Sequence, residues 1–114
     1  MNTTHPVRSI RLDSESTWIP RTINGKHLGD NVFLTTVAED GVKSTAWRHE
    51  PDAPLPYELP NAGEHFYILD GEAVITPADG DAITVSAGDM VFVPKGFIGV
   101  WETTRALTKF SVTV

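Results

Sequence analysis

Two carboxylates and one imidazole in the middle of the chain have the residue types of a metal or acid–base site. They are His49, Glu58 and Glu64. Imidazole nitrogen and carboxylate oxygen bind divalent transition metals, and a carboxyl held in an apolar pocket can act as a general acid or base. The chain contains no Cys, which excludes a thiolate zinc site, a thiol nucleophile and a disulfide framework.

The segments that must position these residues are predicted to be short β-strands. Runs rich in β-branched and aromatic residues alternate with turns such as Asp40-Gly41 and Asp70-Gly71. The predicted strands are 32–37, 43–49, 66–69, 73–76, 82–85, 90–93, 98–102 and 107–114. This spacing is typical of an antiparallel sandwich or barrel, and no segment has the sustained apolar period of a helix. We therefore predict an all-β fold in which Asp70-Gly71 closes a hairpin.

Two segments are less regular. Residues 1–30 are predicted to form an N-terminal arm that packs on the barrel or on a partner subunit, which leaves residues 31–114 for the barrel. Prolines crowd the segment 50–60. Because proline cannot donate to a β-ladder, we predict a stiff, extended loop there, at the mouth of the barrel.

Parts of two motifs resemble those of the cupin superfamily. The end of the first motif, E-x6-G, is matched by Glu64 and Gly71, and the beginning of the second, G-x5-P-x-G, is matched by Gly88, Pro94 and Gly96. Turn geometry alone explains these glycines and this proline. They therefore indicate a scaffold and not a reaction.

The similarity covers residues 43–114, and the segment 94–102 resembles one branch of the superfamily. That branch contains small single-domain cupins related to the cupin of (S)-ureidoglycine aminohydrolase and to the ethanolamine-utilisation cupin. The resemblance implies a cupin double-stranded β-helix, that is, a jelly-roll barrel, which is usually a homodimer and has a pocket at one end.

Most of the metal ligands that the resemblance implies are missing. Cupin metal sites use two histidines and a glutamate from the first motif and a histidine from the second. In this chain only the glutamate, Glu64, remains, and Gly99 stands at the position of the last histidine. One carboxylate does not supply the three or four donors that a transition metal needs. We expect no metal and no cofactor, and the alternative is a substitute divalent-metal site formed by Glu64, His49 and Glu58.

Alternation of side chains along a strand predicts the surroundings of Glu64. If Glu64 points into the barrel, Phe66 and Trp101 share the interior with it. A buried carboxylate needs a partner, and Lys109 is the candidate because apolar residues occupy the other face of the last strand. That partnership is either structural or part of a binding site. Such a pocket would suit a small planar or cationic ligand.

The same residues also have simpler interpretations. His49 borders the proline-rich segment. It could be solvated there, or it could anchor the loop, and neither role involves a ligand. Glu58 is equally well explained as an exposed loop carboxylate. Phe66 and Trp101 fit core packing, since aromatic residues dominate burial in small barrels.

Composition narrows the partners. The 114-residue chain has a net charge of −6, which disfavours binding to nucleic acid or to an anionic membrane surface. No apolar run reaches the roughly 20 residues of a membrane helix. Residues 1–16 lack the apolar core of a secretory signal, so we expect a cytoplasmic protein.

Three functions are compatible with these observations. The first is a cupin that binds a small metabolite in the barrel pocket without a metal. The second is an enzyme of the ureidoglycine-aminohydrolase or isomerase type that uses Glu64 as acid or base, with or without a non-standard metal site. The third is a purely structural homodimer formed through sheet edges and the N-terminal arm.

Overall fold

The computed structural model of the protein describes residues 7–13 and 15–114. In chain order the elements are β1 (Ile19–Ile23), β2 (Lys26–Thr35), the helical turn α1 (Val37–Asp40), β3 (Lys43–His49), β4 (Leu55–Glu58), β5 (Glu64–Pro77), β6 (Ile83–Ser86), β7 (Met90–Val93) and β8 (Ile98–Thr113). The prediction of an all-β fold is therefore confirmed. Within the described ranges no helix has the length and apolar character needed to cross a membrane.

Strand β8 organises the antiparallel sheet. It pairs with β5 over almost its whole length, with β3 through its second half and with β4 through its first half. The continuous order is β1-β2-β3-β8-β5-β6, and β7 pairs with the first residues of β5. Because β8 has different partners at its two ends, it joins the two parts of a jelly roll and brings β3, β4 and β5 around one cavity.

Strands β5 and β8 are each longer than the sequence predicts. The predicted strands 66–69 and 73–76 are parts of β5, and 98–102 and 107–114 fall largely within β8. The β5–β8 register shifts between Ile68 and Ala73. Bulges of this kind bend a strand without ending it, so the residues that were expected to separate two strands lie within one.

The predicted hairpin at Asp70-Gly71 is wrong for the same reason. Gly71 has φ of 87° and lies in the irregular part of β5. A Cβ built on Gly71 would stand only 2.1 Å from the carbonyl oxygen of Ala106. This glycine therefore permits a close approach of β5 to β8, a second role of glycine that a dipeptide signal does not distinguish from a turn.

Two other predicted segments need correction. The proline-rich segment contains a short strand, β4, in which Pro56 lies opposite Val100 of β8. Since β8 is the only described strand that pairs with β4, the proline stands on an edge strand, where it is tolerated. The predicted strand 32–37 ends at Thr35, because Thr36 and Glu39 form a capping box that starts α1.

The N-terminal region is partly ordered against the sheet. Strands β1 and β2 form a hairpin whose turn residues, Asn24 and Gly25, both have positive φ. Residues 7–13 run beside the outer face of the sheet, where Arg8 pairs with Glu39 at 3.0 Å. Residues 1–6 and 14 of the predicted arm lie outside the described residues. The boundary at residue 30 and a contact with a partner subunit stay predictions.

The apolar core lies directly beneath the cavity. Ile68 and Leu107 are its most completely buried large side chains. Trp47, Phe66 and Trp101 belong to the same buried cluster. The aromatic residues thus form both the upper layer of the core and the inner end of the cavity.

Candidate functional site

One cavity contains most of the residues that the sequence singles out. It has a volume of about 240 Å³ and lies between β3, β4, β5 and β8, with β1 and β2 at one side. Its charged lining residues are Arg21, Lys43, Glu58, Glu64 and Lys109. Its other lining residues are Asn31, Thr45, Trp47, Leu55, Pro56, Tyr57, Leu59, Trp101, Ser111 and Thr113.

Glu64 is the first residue of β5 and points inward. It is only 7% exposed, and the exposed and buried residues alternate from Glu64 to Ile68 as the sequence predicts. Backbone pairing on both sides, with Val93 of β7 and Thr113 of β8, holds this end of the strand. The carboxylate is therefore fixed in position at the inner wall of the cavity.

Lys109 is the direct partner of Glu64. Its Nζ donates a hydrogen bond to Glu64 Oε2 at 2.7 Å, and both side chains are about nine-tenths buried. The hydroxyl of Tyr57 donates a hydrogen bond to the other carboxylate oxygen, Oε1. The inner wall thus contains an ion pair whose carboxylate is bonded on both oxygens.

Four aromatic rings surround the Lys109 ammonium. Nζ lies 4.4 Å from the ring centre of Phe66, 4.9 Å from that of Trp101, 5.4 Å from that of Trp47 and 5.8 Å from that of Tyr57. Cation–π attraction offsets part of the cost of burying the charge. The aromatic residues expected to receive a cationic ligand therefore already hold a cation of the chain itself.

The electrostatics of the pair keep Glu64 ionised. Burial alone raises the pKa of the Glu64 carboxyl, but the charge of Lys109 and hydrogen bonds from Lys109, Tyr57 and Ser111 outweigh it and hold this pKa below its ordinary value. Burial, followed by the negative charge of Glu64, raises the pKa of the Tyr57 phenol. Tyr57 is therefore a hydrogen-bond donor, and Glu64 is a carboxylate at neutral pH.

Burial lowers the pKa of the Lys109 ammonium, although Glu64 opposes that shift. The positive charges of Arg21 and Lys43 act in the same direction as burial. The interaction with Glu64 therefore favours the protonated form of Lys109. Arg21 and Lys43 disfavour that form, because their positive charges are near it.

His49 is buried, so the expectation that this histidine is solvated is wrong. Its ring stacks on Trp47 with centroids 4.9 Å apart, and its Nδ1 lies 2.7 Å from the Thr103 hydroxyl. Trp101 Nε1 donates to the same hydroxyl at 2.9 Å. The Thr103 hydroxyl therefore accepts from Trp101 and forms a second hydrogen bond with the imidazole of His49. Burial also lowers the pKa of His49, which favours the neutral form.

The substitute metal site of Glu64, Glu58 and His49 is not assembled. His49 lines a second cavity near Asp52 and Thr108, whereas the two glutamates line the first. In the part of the chain that the structure describes, no three His, Cys, Asp or Glu side chains are grouped as a metal would require. In the structure the His49 ring contacts Thr103 and Trp47 and does not line the first cavity with the two glutamates.

The remaining predicted residues have different positions. Glu58 is exposed on the edge strand β4, at the rim of the cavity. Phe66 lies below the cavity surface and contacts it through Lys109 and Trp101. Trp101 lines the cavity wall. Phe66 thus packs against Lys109 and Trp101 and does not itself line the cavity.

Sequence reasoning missed three residues of the cavity. Tyr57 lies in the proline-rich segment, and no local signal reveals that its hydroxyl reaches Glu64. Lys43, by contrast, could have been found. It is two residues before Thr45 and four before Trp47 on β3, and residues at even spacing on a strand share one face. Arg21 has no comparable signal, since it reaches the cavity only through the β1–β2 hairpin.

Comparison with known proteins shows which family and which solved structures this chain is similar to. Residues 37–110 match the sequence model of the EutQ-like cupin domain. A search among curated proteins found no match. The structure is similar to the Clostridium difficile EutQ protein, with 24% identity and a TM-score of 0.65 over 74% of this chain and 60% of that chain. The chain thus corresponds to less than two thirds of that protein.

Two other solved structures are similar. One is from Salmonella typhimurium LT2 and is described as an ethanolamine utilisation protein Q; it has 26% identity and a TM-score of 0.64 over 74% of this chain and 67% of that one. The other is the ectoine synthase from P. lautus, with 14% identity and a TM-score of 0.70 over 75% and 63%. The match to the family's sequence model covers more than half of the chain, and the protein therefore belongs to the EutQ-like cupin domain family.

Proposed function

We propose that this cupin binds a small metabolite that carries a carboxylate group in the cavity beside Glu64. The observation that supports the proposal most directly is the charge of the lining. Lys109 is neutralised by Glu64, whereas Arg21 and Lys43 line the same cavity and form no ion pair with another described residue. A carboxylate between them would gain charge-assisted hydrogen bonds.

The size and walls of the cavity define the ligand further. A volume of about 240 Å³ is below the ~300–1,000 Å³ typical of sites for drug-sized ligands. Leu55, Trp47 and Trp101 supply apolar wall, and Asn31 and Thr113 supply polar groups. The ligand is therefore a short acid with only a few carbon atoms. A cationic ligand is disfavoured, because the aromatic rings already surround Lys109.

Calorimetric titration tests this proposal. Glycolate and malonate should bind, whereas the neutral glycolamide and the cationic ethanolamine should not. Lys43→Gln should weaken glycolate binding about tenfold, the ratio that corresponds to ~1.4 kcal/mol, and the exposed Lys95→Gln should leave it unchanged. Binding of ethanolamine with no binding of either acid would overturn the proposal.

A catalytic function is the second candidate. Glu64 lines the cavity beside the Tyr57 hydroxyl, which favours an enzyme of the ureidoglycine-aminohydrolase or isomerase type with Glu64 as a base. The lowered pKa of Glu64 favours the base over the acid in the resting protein. Turnover of a ureido or hydroxy acid, followed by NMR and abolished by Glu64→Gln, would support this candidate, and an unchanged rate in that variant would exclude Glu64.

We also propose that the protein is a homodimer. The outer face of β5 and β7 carries His65, Tyr67, Leu69, Met90 and Phe92, none of which is formally charged when His65 is neutral. Met90 is 87% exposed and Phe92 is 59% exposed. Adjacent exposed apolar residues of this kind favour an interface, and a two-fold axis would let the same face serve on both chains.

A further inference from the structure

Lys109 differs from the other lysines of the chain. Lys26, Lys43 and Lys95 are exposed, whereas the Lys109 side chain is only 8% exposed and its amine is at the wall of the cavity. A primary amine in such a place is the nucleophile that forms covalent intermediates with carbonyl compounds. Its surroundings supply what that chemistry needs.

The first requirement is a route for the ammonium proton. Glu64 Oε2 accepts the hydrogen bond from Lys109 Nζ at 2.7 Å, so the proton can cross to the carboxylate without any rearrangement of the chain. Burial among Phe66, Trp101 and Trp47 disfavours separated charges. The neutral pair of amine and carboxylic acid is thus an accessible state of the same hydrogen bond.

The second requirement is a means of holding the reacting molecule. This step rests on the function proposed above, in which Arg21 and Lys43 bind a carboxylate in the cavity. If the bound acid also has a carbonyl group one or two atoms from its carboxylate, the small cavity keeps that carbonyl near the Lys109 amine. Short 2-oxo acids have that arrangement.

We propose that Lys109 forms a covalent imine with the carbonyl carbon of a short 2-oxo acid bound in this cavity. The amine nitrogen, freed by proton transfer to Glu64, attacks the carbonyl carbon, and one of the two protons on that nitrogen passes to the carbonyl oxygen to give a neutral carbinolamine. Glu64 returns its proton to the hydroxyl, which leaves as water. The sum is Lys–NH3⁺ plus ketone giving a protonated imine plus water, so charge and atoms balance and no oxidant or reductant is needed.

The product retains the interactions of the resting pair. The protonated imine carries the same positive charge as the ammonium and stays beside the Glu64 carboxylate. Phe66 and Trp101, whose ring centres lie 4.4 and 4.9 Å from the nitrogen, stabilise that charge as they stabilise the lysine. Tyr57, bonded to the other carboxylate oxygen, keeps Glu64 oriented during the proton transfers.

Reductive trapping tests the proposal on the unmodified protein. Pyruvate is added at pH 7 with sodium cyanoborohydride, and the adducts are located by peptide mass mapping. Exposed lysines outside the cavity should react slowly, because nothing there holds the carboxylate of pyruvate beside their amines. We expect adduct at Lys109 well before Lys26 or Lys95, and we expect lactate, which lacks the carbonyl, to protect Lys109 but not Lys95.

Variants sharpen the same experiment. Lys95→Arg should retain the adduct at Lys109, whereas Lys109→Arg should lose it. If Lys109→Arg does not fold, the distribution among the lysines of the native protein decides the question. Propionaldehyde, which has no carboxylate, should label Lys109 much less than pyruvate does.

The outcomes separate this inference from the function on which it rests. Calorimetric binding of pyruvate without preferential labelling of Lys109 would overturn the imine and leave carboxylate binding in place. Failure of pyruvate, glycolate and malonate to bind, together with uniform labelling of the exposed lysines, would overturn both.

Discussion

Lys109 reaches Glu64 by extending along the neighbouring strand and not across it. The backbone of Lys109 in β8 lies opposite Ile68 of β5, four residues beyond Glu64, and Ser111 lies opposite the intervening Phe66. The lysine side chain therefore extends over the Phe66 ring, and Nζ lies 4.4 Å from the centre of that ring where it meets the carboxylate. The ion pair and the aromatic layer below it are one packed unit.

This arrangement predicts strong coupling between the two charged residues. Lys109→Met should lower the free energy of unfolding by about 3–5 kcal/mol, because it leaves a buried carboxylate without its partner. The double variant Glu64→Gln/Lys109→Met should recover much of that loss. Urea denaturation of both single variants and the double variant measures the coupling.

A matched control comes from the exposed pair Arg8–Glu39, in which both side chains are about half exposed. Glu39→Gln should change stability by no more than ~1 kcal/mol. If Lys109→Met costs no more than this control, the buried pair has no special energetic role.

Stability should fall in acid because of Glu64. Its pKa in the folded protein is held below the ordinary value of 4.5, so the unfolded chain takes up the proton first. The stabilisation is therefore complete above about pH 4.5 and is lost as the pH falls through the lower, folded pKa. Urea titrations between pH 7 and pH 3 should show the stability difference between the native protein and Glu64→Gln narrowing as the pH falls.

Asp30 provides the comparison for that experiment. Hydrogen bonds from Arg48 and His27 also hold the pKa of Asp30 below its ordinary value, so some acid sensitivity should remain in Glu64→Gln. A difference between the native protein and Glu64→Gln that stays constant with pH would show that ionisation of Glu64 does not contribute.

The two roles of glycine can be separated by substitution. Gly71 and Gly88 both have positive φ, of 87° and 97°, but only Gly71 has a backbone oxygen 2.1 Å from the position of a Cβ. Gly88→Ala should cost about 1–2 kcal/mol, the penalty of the left-handed conformation. Gly71→Ala should cost clearly more, since the β5–β8 pair must also separate. Equal thermal midpoints for the two variants would contradict the close approach.

The apolar outer face of β5 and β7 should control the oligomeric state. Phe92→Glu should convert a dimer to a monomer in analytical ultracentrifugation at micromolar concentration, because it buries a charge in the proposed interface. Ile98→Glu, at a position that is also 59% exposed but lies on β8 opposite β4, should leave the dimer intact. A native protein that sediments only as a 12.5 kDa species would refute the interface.

The hydrogen bonds that join Trp101, Thr103 and His49 should contribute to stability. Thr103→Val removes the hydroxyl that accepts from Trp101 and bonds to His49. Leaving those two buried groups without a partner should cost about 1–3 kcal/mol and change the tryptophan fluorescence. Thr104→Val, at the exposed neighbouring position, should have a much smaller effect.

Local patterns in the sequence determined the strand content and the faces of the strands. With Glu64 taken to point inward, alternation placed Phe66 on the same face, and the apolar face of the last strand left Lys109 for the interior. Both assignments hold in the structure because a period of two is a property of each strand alone. The resemblance of the motif residues to cupins identified the family for the same reason, since turn glycines and prolines are local requirements.

Only the tertiary structure decided which inward side chains meet. The register of β8 against β5 carries Lys109 past Phe66 to Glu64, and the pairing of β4 with β8 brings Tyr57 to the same carboxylate. Strand register and the bulge at Gly71 depend on contacts between segments far apart in sequence, and no local period encodes them. That is why the sequence predicted an inward acid with a lysine partner, but not the buried histidine or the two cations that complete the cavity.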